Sequence, residues 1–196
     1  MESGRLEAFT DGVIAVIITI MVLELKAPHE ASWHALARSW PIFVSYVLSF
    51  IYVGIYWNNH HHLLRLPTRV NGKIMLANLF LLFWLSLFPF TTSWLAEAEP
   101  MPQPVPTAVY GFVLLMASVS WIPLLRFLIS ANGGHTGELA KAVRSKWKEY
   151  GSVAIYAAAI AVAFFSPIVA CGLYAAVAAM WFIPDRRIEK KVVRKS

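Results

Sequence analysis

The sequence predicts an all-α protein that crosses a membrane six times. Three observations predict it: 58% of the 196 residues are hydrophobic, only 14% are charged, and the apolar residues gather in six long blocks. A soluble domain carries about 25% charged residues, nearly twice this density. The blocks run over 6–25, 40–59, 74–95, 106–129, 149–166 and 168–184. Each approaches the ~20 residues a helix needs to cross ~30 Å of hydrocarbon. No repeat and no soluble unit stands out, so residues 1–196 read as a single six-helix transmembrane domain.

The first block reads as a retained span. It is too long for a cleavable signal, lacks a basic leader, and has no small-residue cleavage site before Pro28. The second ends in W-N-N-H-H-H, Trp57 to His62, and the third begins after Lys73. The stretch E-P-M-P-Q-P-V-P, Glu99 to Pro106, reads as a stiff extended linker into the fourth. Glycine-rich Ala131–Gly137 reads as a flexible connection, and Glu138–Lys148 as an interfacial extension of the fifth helix. The fifth and sixth blocks are divided only by Ser166-Pro167. Proline suits the first turn of a new helix, which predicts a tight hairpin there. Its alanine- and glycine-rich walls permit close helix approach in lipid.

With the amino terminus in the cytoplasm, all but Lys26 and Arg38 of the 17 lysines and arginines fall on the inner side. The acids Glu24, Glu30, Glu97 and Glu99 fall outside. This asymmetry predicts both termini inside, in the cell (inner) membrane. The net charge of +6 therefore belongs to inner loops and not to nucleic-acid binding. The basic tail from Asp185 to Ser196 reads as a topology determinant in reach of anionic lipid. Trp40, Trp57, Trp94, Trp147 and Trp181 stand near block ends, as an interfacial belt requires. Cys171 is the one cysteine, which excludes an intrachain disulfide and suits a small buried side chain.

Polar groups inside a membrane are costly and mark function by default. At about 100° per residue, Phe9, Gly12, Val16, Ile20 and Leu23 share one stripe of the first helix, with Thr19 at its margin. Asp11, Ala15, Ile18 and Val22 occupy much of the other side. Asp11 thus belongs with the packing face. It lies about 9 Å along the helix from Arg5. Thr10, Asp11, Trp57, the histidines and Asn78 all fall at one depth near the inner surface. A buried carboxylate there needs several charge-assisted hydrogen bonds, which predicts a structural network tying helices one to three together.

Two other readings compete for His60, His61 and His62. A metal site of two histidines and Asp11 is one, but adjacent histidines point about 100° apart, and no His-x-x-x-His spacing is present. A proton relay through Asp11 and the histidines is the other. Enzyme signatures are missing: no GxSxG, no phosphate loop, no paired catalytic carboxylates. The sequence predicts no catalytic residue, no metal ligand and no cofactor.

Arg5-x-x-x-Phe9-Thr10-Asp11-x-x-x-Ala15 resembles the R-x-x-x-F-[S/T]-D-x-x-x-A signature of the transmembrane protein 175 family, lysosomal and bacterial potassium channels. Trp57-x-x-His60-His61 and Asn78 continue the likeness. Threonine stands at position 10, where serine is commoner, and keeps the hydroxyl. The resemblance implies a homotetramer, with four copies of helix one around a central pore. It implies hydrophobic constrictions at Val16, Ile20 and Leu23 in place of a T-V-G-Y-G carbonyl filter, with Thr19 adding a hydroxyl layer. Arg5, Phe9, Thr10, Asp11, Trp57, His60, His61 and Asn78 would form the supporting network.

The function expected is a channel with modest preference for potassium over sodium. Its partners are its own copies, potassium ions and the bilayer. The alternative is a proton-coupled or metal-ion secondary transporter using Asp11 and His60–His62. That alternative lacks inverted repeats, and the sequence predicts no helix broken near the midplane.

Overall fold

The computed structural model describes residues 3–64, 69–137, 139–140 and 146–182. The tail from Asp185 onward and most of the Glu138–Lys148 segment lie outside them. Among the described residues every regular element is a helix: α1 Ser3–Leu23, α2 Trp33–Arg38, α3 Trp40–Leu64, α4 Gly72–Leu85, α5 Phe88–Glu97, α6 Pro104–Ala131, a single 3₁₀ turn Gly134–Thr136, α7 Lys146–Ala163 and α8 Pro167–Phe182. In lipid, a helix is the form that satisfies every backbone group within one segment, so even the β-branched run Val16-Ile17-Ile18-Thr19-Ile20 is helical.

Among the described residues, four segments are long and apolar enough to cross a membrane: Ser3–Leu23, Trp40–Leu64, Gly72–Glu97 and Pro104–Ala131. The chain is a multi-pass membrane protein. α7 and α8 are shorter, at 18 and 16 residues, and α7 carries Lys148 and Glu149 in its first turn.

Local chemistry sets the boundaries. Asn71 caps α4, its side chain accepting from the Ile74 amide at 3.1 Å. Pro104 and Pro106 sit in the first turn of α6, so the end of the proline-rich loop is helix and not extended linker. α3 continues five residues beyond the predicted 59, which places the three histidines on helix. Pro167 opens α8, and Ala159, Ala163 and Ala170 are fully buried in the hairpin with α7.

Two elements depart from expectation. The short helix α2 stands in the loop before α3, its amino end capped by Ser32. The third span is interrupted at Ser86–Leu87, where Pro89 has no N–H to continue the ladder. The expectation of no helix broken near the midplane is therefore wrong. Some carbonyls beside the break are used internally: Ser86 Oγ donates to Phe83 O at 2.7 Å, and Thr91 Oγ1 to Leu87 O at 3.1 Å.

α1 packs on α3, α4 and α5, while α6 packs on α4, α5, α7 and α8. Where α3, α6, α7 and α8 meet, the core is built of tyrosines. The Tyr52 hydroxyl donates to Tyr174 O at 2.6 Å, Tyr156 to the Tyr52 hydroxyl at 3.2 Å, and Tyr174 to Thr107 O at 3.2 Å. Gly111 lets Tyr174 reach the α6 backbone: a Cβ there would stand 1.9 Å from the tyrosine hydroxyl. On the side where α3 ends and α4 begins, Arg69 N donates to Asn132 Oδ1 at 2.6 Å. That bond ties the α3–α4 loop to the end of α6 and puts both on one surface.

Candidate functional site: the first helix and its polar anchor

One line of α1 is buried against the bundle: Leu6, Thr10, Ile14, Ile17 and Met21. The opposite line is open. Phe9 is 52% exposed, Val16 55%, Ile20 42% and Leu23 76%. Thr19 is exposed between them and donates its hydroxyl proton to Val16 O at 2.8 Å. That leaves its oxygen lone pairs facing outward. Asp11 lies on neither line. It sits on the flank, partly exposed, because it is about 100° round the helix from the middle of the buried line.

The deep layer is a single chain of hydrogen bonds. Asn78 Nδ2 donates to Thr10 Oγ1 at 2.9 Å, and His60 Nε2 lies 2.9 Å from Asn78 Oδ1. The amide orientation makes Oδ1 the acceptor, so His60 carries its proton on Nε2. Its Nδ1 is buried without a partner. Thr10, His60 and Asn78 are almost wholly buried.

A shallower layer joins the flank of α1 to the end of α3. Trp57 Nε1 donates to Asp11 Oδ1 at 3.0 Å, and His61 Nδ1 meets Glu7 Oε1 at 2.7 Å. Trp57 and His61 stack at 5.7 Å, with 15° between their planes. Glu7 and Asp11 are four residues apart on α1, and Trp57 and His61 four apart on α3. Residues four apart share a helix face, so on these antiparallel helices the two contacts form matched rungs.

The structure thus brings Thr10, Asp11, Trp57, His60, His61 and Asn78 together. It does not bring in Arg5 or Phe9. Arg5 is exposed and makes no hydrogen bond or ion pair among the described residues. It lies about 120° round the helix from Asp11, on the open side, so its guanidinium points away from the carboxylate. Phe9 stands on the same open side. Glu7 was missed by sequence reasoning, although its spacing to Asp11, matched to Trp57 and His61, carried the signal. Among the described residues, no group of three histidine, cysteine or acidic side chains is arranged to hold a metal. His60 and His61 turn to different partners.

At the other end of α1, Ser93 Oγ donates to Glu24 Oε2 at 3.2 Å, and Lys26 Nζ to Glu97 Oε1 at 3.1 Å. Glu97 raises the Lys26 amine above its ordinary value, chiefly through that hydrogen bond. Glu97 is therefore a partner of the first helix's end and not a free residue of a turn.

Residues 5–89 match the family model described as endosomal/lysosomal potassium channel TMEM175. A potassium channel of Chryseobacterium sp. (strain P1-3) is 50% identical over 192 residues, covering 98% of both chains. A potassium channel of Streptomyces collinus (strain DSM 40733 / Tue 365) is 39% identical over 126 residues, covering 61% of each. The crystal structure of a lysosomal potassium-selective channel TMEM175 homolog from Chamaesiphon minutus superposes with a TM-score of 0.80 at 27% identity. It covers 92% of this chain and 96% of that one.

Proposed function

The chain belongs to the TMEM175 channel family, and from that premise we propose that it is a potassium-permeable channel, a homotetramer with α1 lining the pore. The family is one of channels and not of enzymes. The observation that carries the reading is the open row Val16, Thr19, Ile20 and Leu23 on a membrane-spanning helix whose opposite row is fully packed. Four copies of that row facing one axis would give each copy's missing surface to the others. α7 and α8 complete six crossings, with both termini in the cytoplasm and the protein in the inner membrane.

Conduction follows from the row's chemistry. Rings of valine, isoleucine and leucine close a narrow path by dewetting and conduct when they separate. They offer no oxygens to replace an ion's hydration shell, so discrimination rests on the cost of dehydration. Potassium loses water more readily than sodium, which yields a modest potassium preference. Thr19 adds the one ring of outward oxygen lone pairs. Asp11, turned to Trp57, holds α1 from behind and is not a cation-binding ring.

Crosslinking and mass measurement in detergent test the tetramer, and bilayer recording under potassium and sodium gradients tests the channel. Reversal should follow the potassium gradient. Strictly proton-coupled, electroneutral uptake overturns the reading in favour of a transporter. Ile20→Asn should leave assembly intact and raise or deregulate the current; an unchanged current removes Ile20 from the pore.

A further inference from the structure

Arg126 poses a problem that the pore does not solve. It lies within the span Pro104–Ala131, five residues short of its end, and is exposed. That is about 8 Å along the helix axis from the surface-side terminus. Among the described residues its side chain has one partner, the neutral Tyr150 hydroxyl on α7, to which Nη2 donates at 2.9 Å. A guanidinium has five N–H donors, so most remain unused, and no carboxylate of the described residues pairs with it. An uncompensated cation at this depth is costly unless an anion comes to it.

The surroundings define the anion. Tyr150 is 47% exposed, Trp147 one turn before it 65%, and Phe127 beside Arg126 38%. Amphipathic rings of this kind settle at the boundary between headgroups and acyl chains. α6 packs on α4 and α5, and α7 on α6 and α8, so the patch lies on helices other than the one that carries the open row. It lies near the end of α6, which the Arg69–Asn132 contact ties to the α3–α4 loop.

We propose that Arg126 and Tyr150, flanked by Trp147 and Phe127, bind the phosphate of an anionic phospholipid from the leaflet on that side. The guanidinium donates two parallel hydrogen bonds to phosphate oxygens. The Tyr150 hydroxyl accepts from Nη2, which fixes the fork, and donates its own proton to one of the same two oxygens. Acyl chains then descend along Phe127 and the apolar face of α7. The site rests on the multi-pass membrane reading and not on conduction.

The test is lipid retention by the purified full-length protein, measured by native mass spectrometry after exchange into detergent with phosphatidylglycerol or phosphatidylcholine. Thermal unfolding is followed in parallel. Phosphatidylglycerol should be retained in preference and raise the midpoint. Arg126→Gln should lower its retention roughly tenfold, the loss of one charge-assisted bidentate contact. Tyr150→Phe should lower it less, and Arg69→Gln on the same surface should leave it unchanged. If Arg126→Gln does not fold, Tyr150→Phe and the preference of the native protein decide. Equal retention of the two lipids overturns the proposal, as does an equal loss in Arg69→Gln. Displacement of the lipid by millimolar inorganic phosphate or an acidic peptide also overturns it, since the site would then serve a soluble anion. No flux is measured, so failure here leaves the channel reading standing, and failed conduction leaves this result untouched.

Discussion

The open row of α1 and the tyrosine-lined centre of the bundle answer the same problem in opposite ways. At the centre, Tyr52, Tyr110, Tyr156 and Tyr174 stack in pairs 5.8 to 6.4 Å apart. Every one of their hydroxyls finds a partner inside the chain, Tyr110 through Ser49 Oγ at 3.0 Å. Along α1, one face is equally closed, but Val16, Ile20 and Leu23 are left exposed. In water such a row is an exposed apolar patch; on a spanning helix it is a surface reserved for something outside the chain. α3 and α4 carry open apolar rows as well, Phe43, Val47 and Phe50 on one and Leu76, Phe80 and Phe83 on the other, so an open row on a spanning helix is a surface for lipid or another chain and not loose packing.

Substitutions rank the two regions. Asn78→Leu should have the largest effect, because it strands both Thr10 and His60 in buried surroundings. Each buried group left unpaired costs about 1–3 kcal/mol. A lowered thermal midpoint with easier proteolysis of α1 is expected; an unchanged midpoint means that α1 is held by apolar packing alone. Gly111→Ala follows, since the new Cβ collides with the Tyr174 hydroxyl and overpacking costs about 1–3 kcal/mol. The better helix propensity of alanine offsets up to ~1 kcal/mol of that. Stability equal to the native protein would show that the tyrosine centre yields easily, and the contrast with α1 would lose its force.

Trp57→Phe keeps the stack on His61 and deletes the donor to Asp11. A loss of about 0.5–1.5 kcal/mol is expected, near the lower end because the site is part-exposed. Comparable loss in Asp11→Asn but none in Trp57→Phe would assign the carboxylate a different partner. Lys26→Met should be the smallest. The Lys26–Glu97 pair is exposed, and such pairs contribute little. The Lys26 pKa is raised from 10.5, so whatever the pair contributes is fully present near neutral pH. It is lost only as pH rises through the raised value. Thermal midpoints of the variant and the native protein should coincide at neutral pH.

Much of this was legible in the sequence for one physical reason: lipid leaves backbone groups no partner but their own helix. The apolar blocks and the hairpin at Ser166-Pro167 follow from that constraint, but the side of α1 expected to pack, Asp11, Ala15, Ile18 and Val22, is not the buried line, which is Leu6, Thr10, Ile14, Ile17 and Met21. Asp11, Trp57, His60, His61 and Asn78 fell at one depth because depth is simple arithmetic on a straight helix. What failed was direction. Arg5 and Asp11 lie about 9 Å apart along α1 and about 120° apart around it, so the guanidinium shares neither the depth nor the side of the carboxylate. The break at Ser86–Leu87 was available from Pro89 but was hidden by the continuous hydropathy around it. The tyrosine centre was not legible at all, since Tyr52, Tyr110, Tyr156 and Tyr174 are linked only by contacts far apart in the chain.

The break in the third span has a mechanical consequence. α4, before it, grips α1 near one end through Asn78 and Thr10. α5, after it, grips α1 at the other end through Ser93 to Glu24 and Glu97 to Lys26. Val16, Thr19, Ile20 and Leu23 lie between the two grips. One strut in two pieces thus holds a beam at both ends, and the joint at Ser86–Leu87 is its fulcrum.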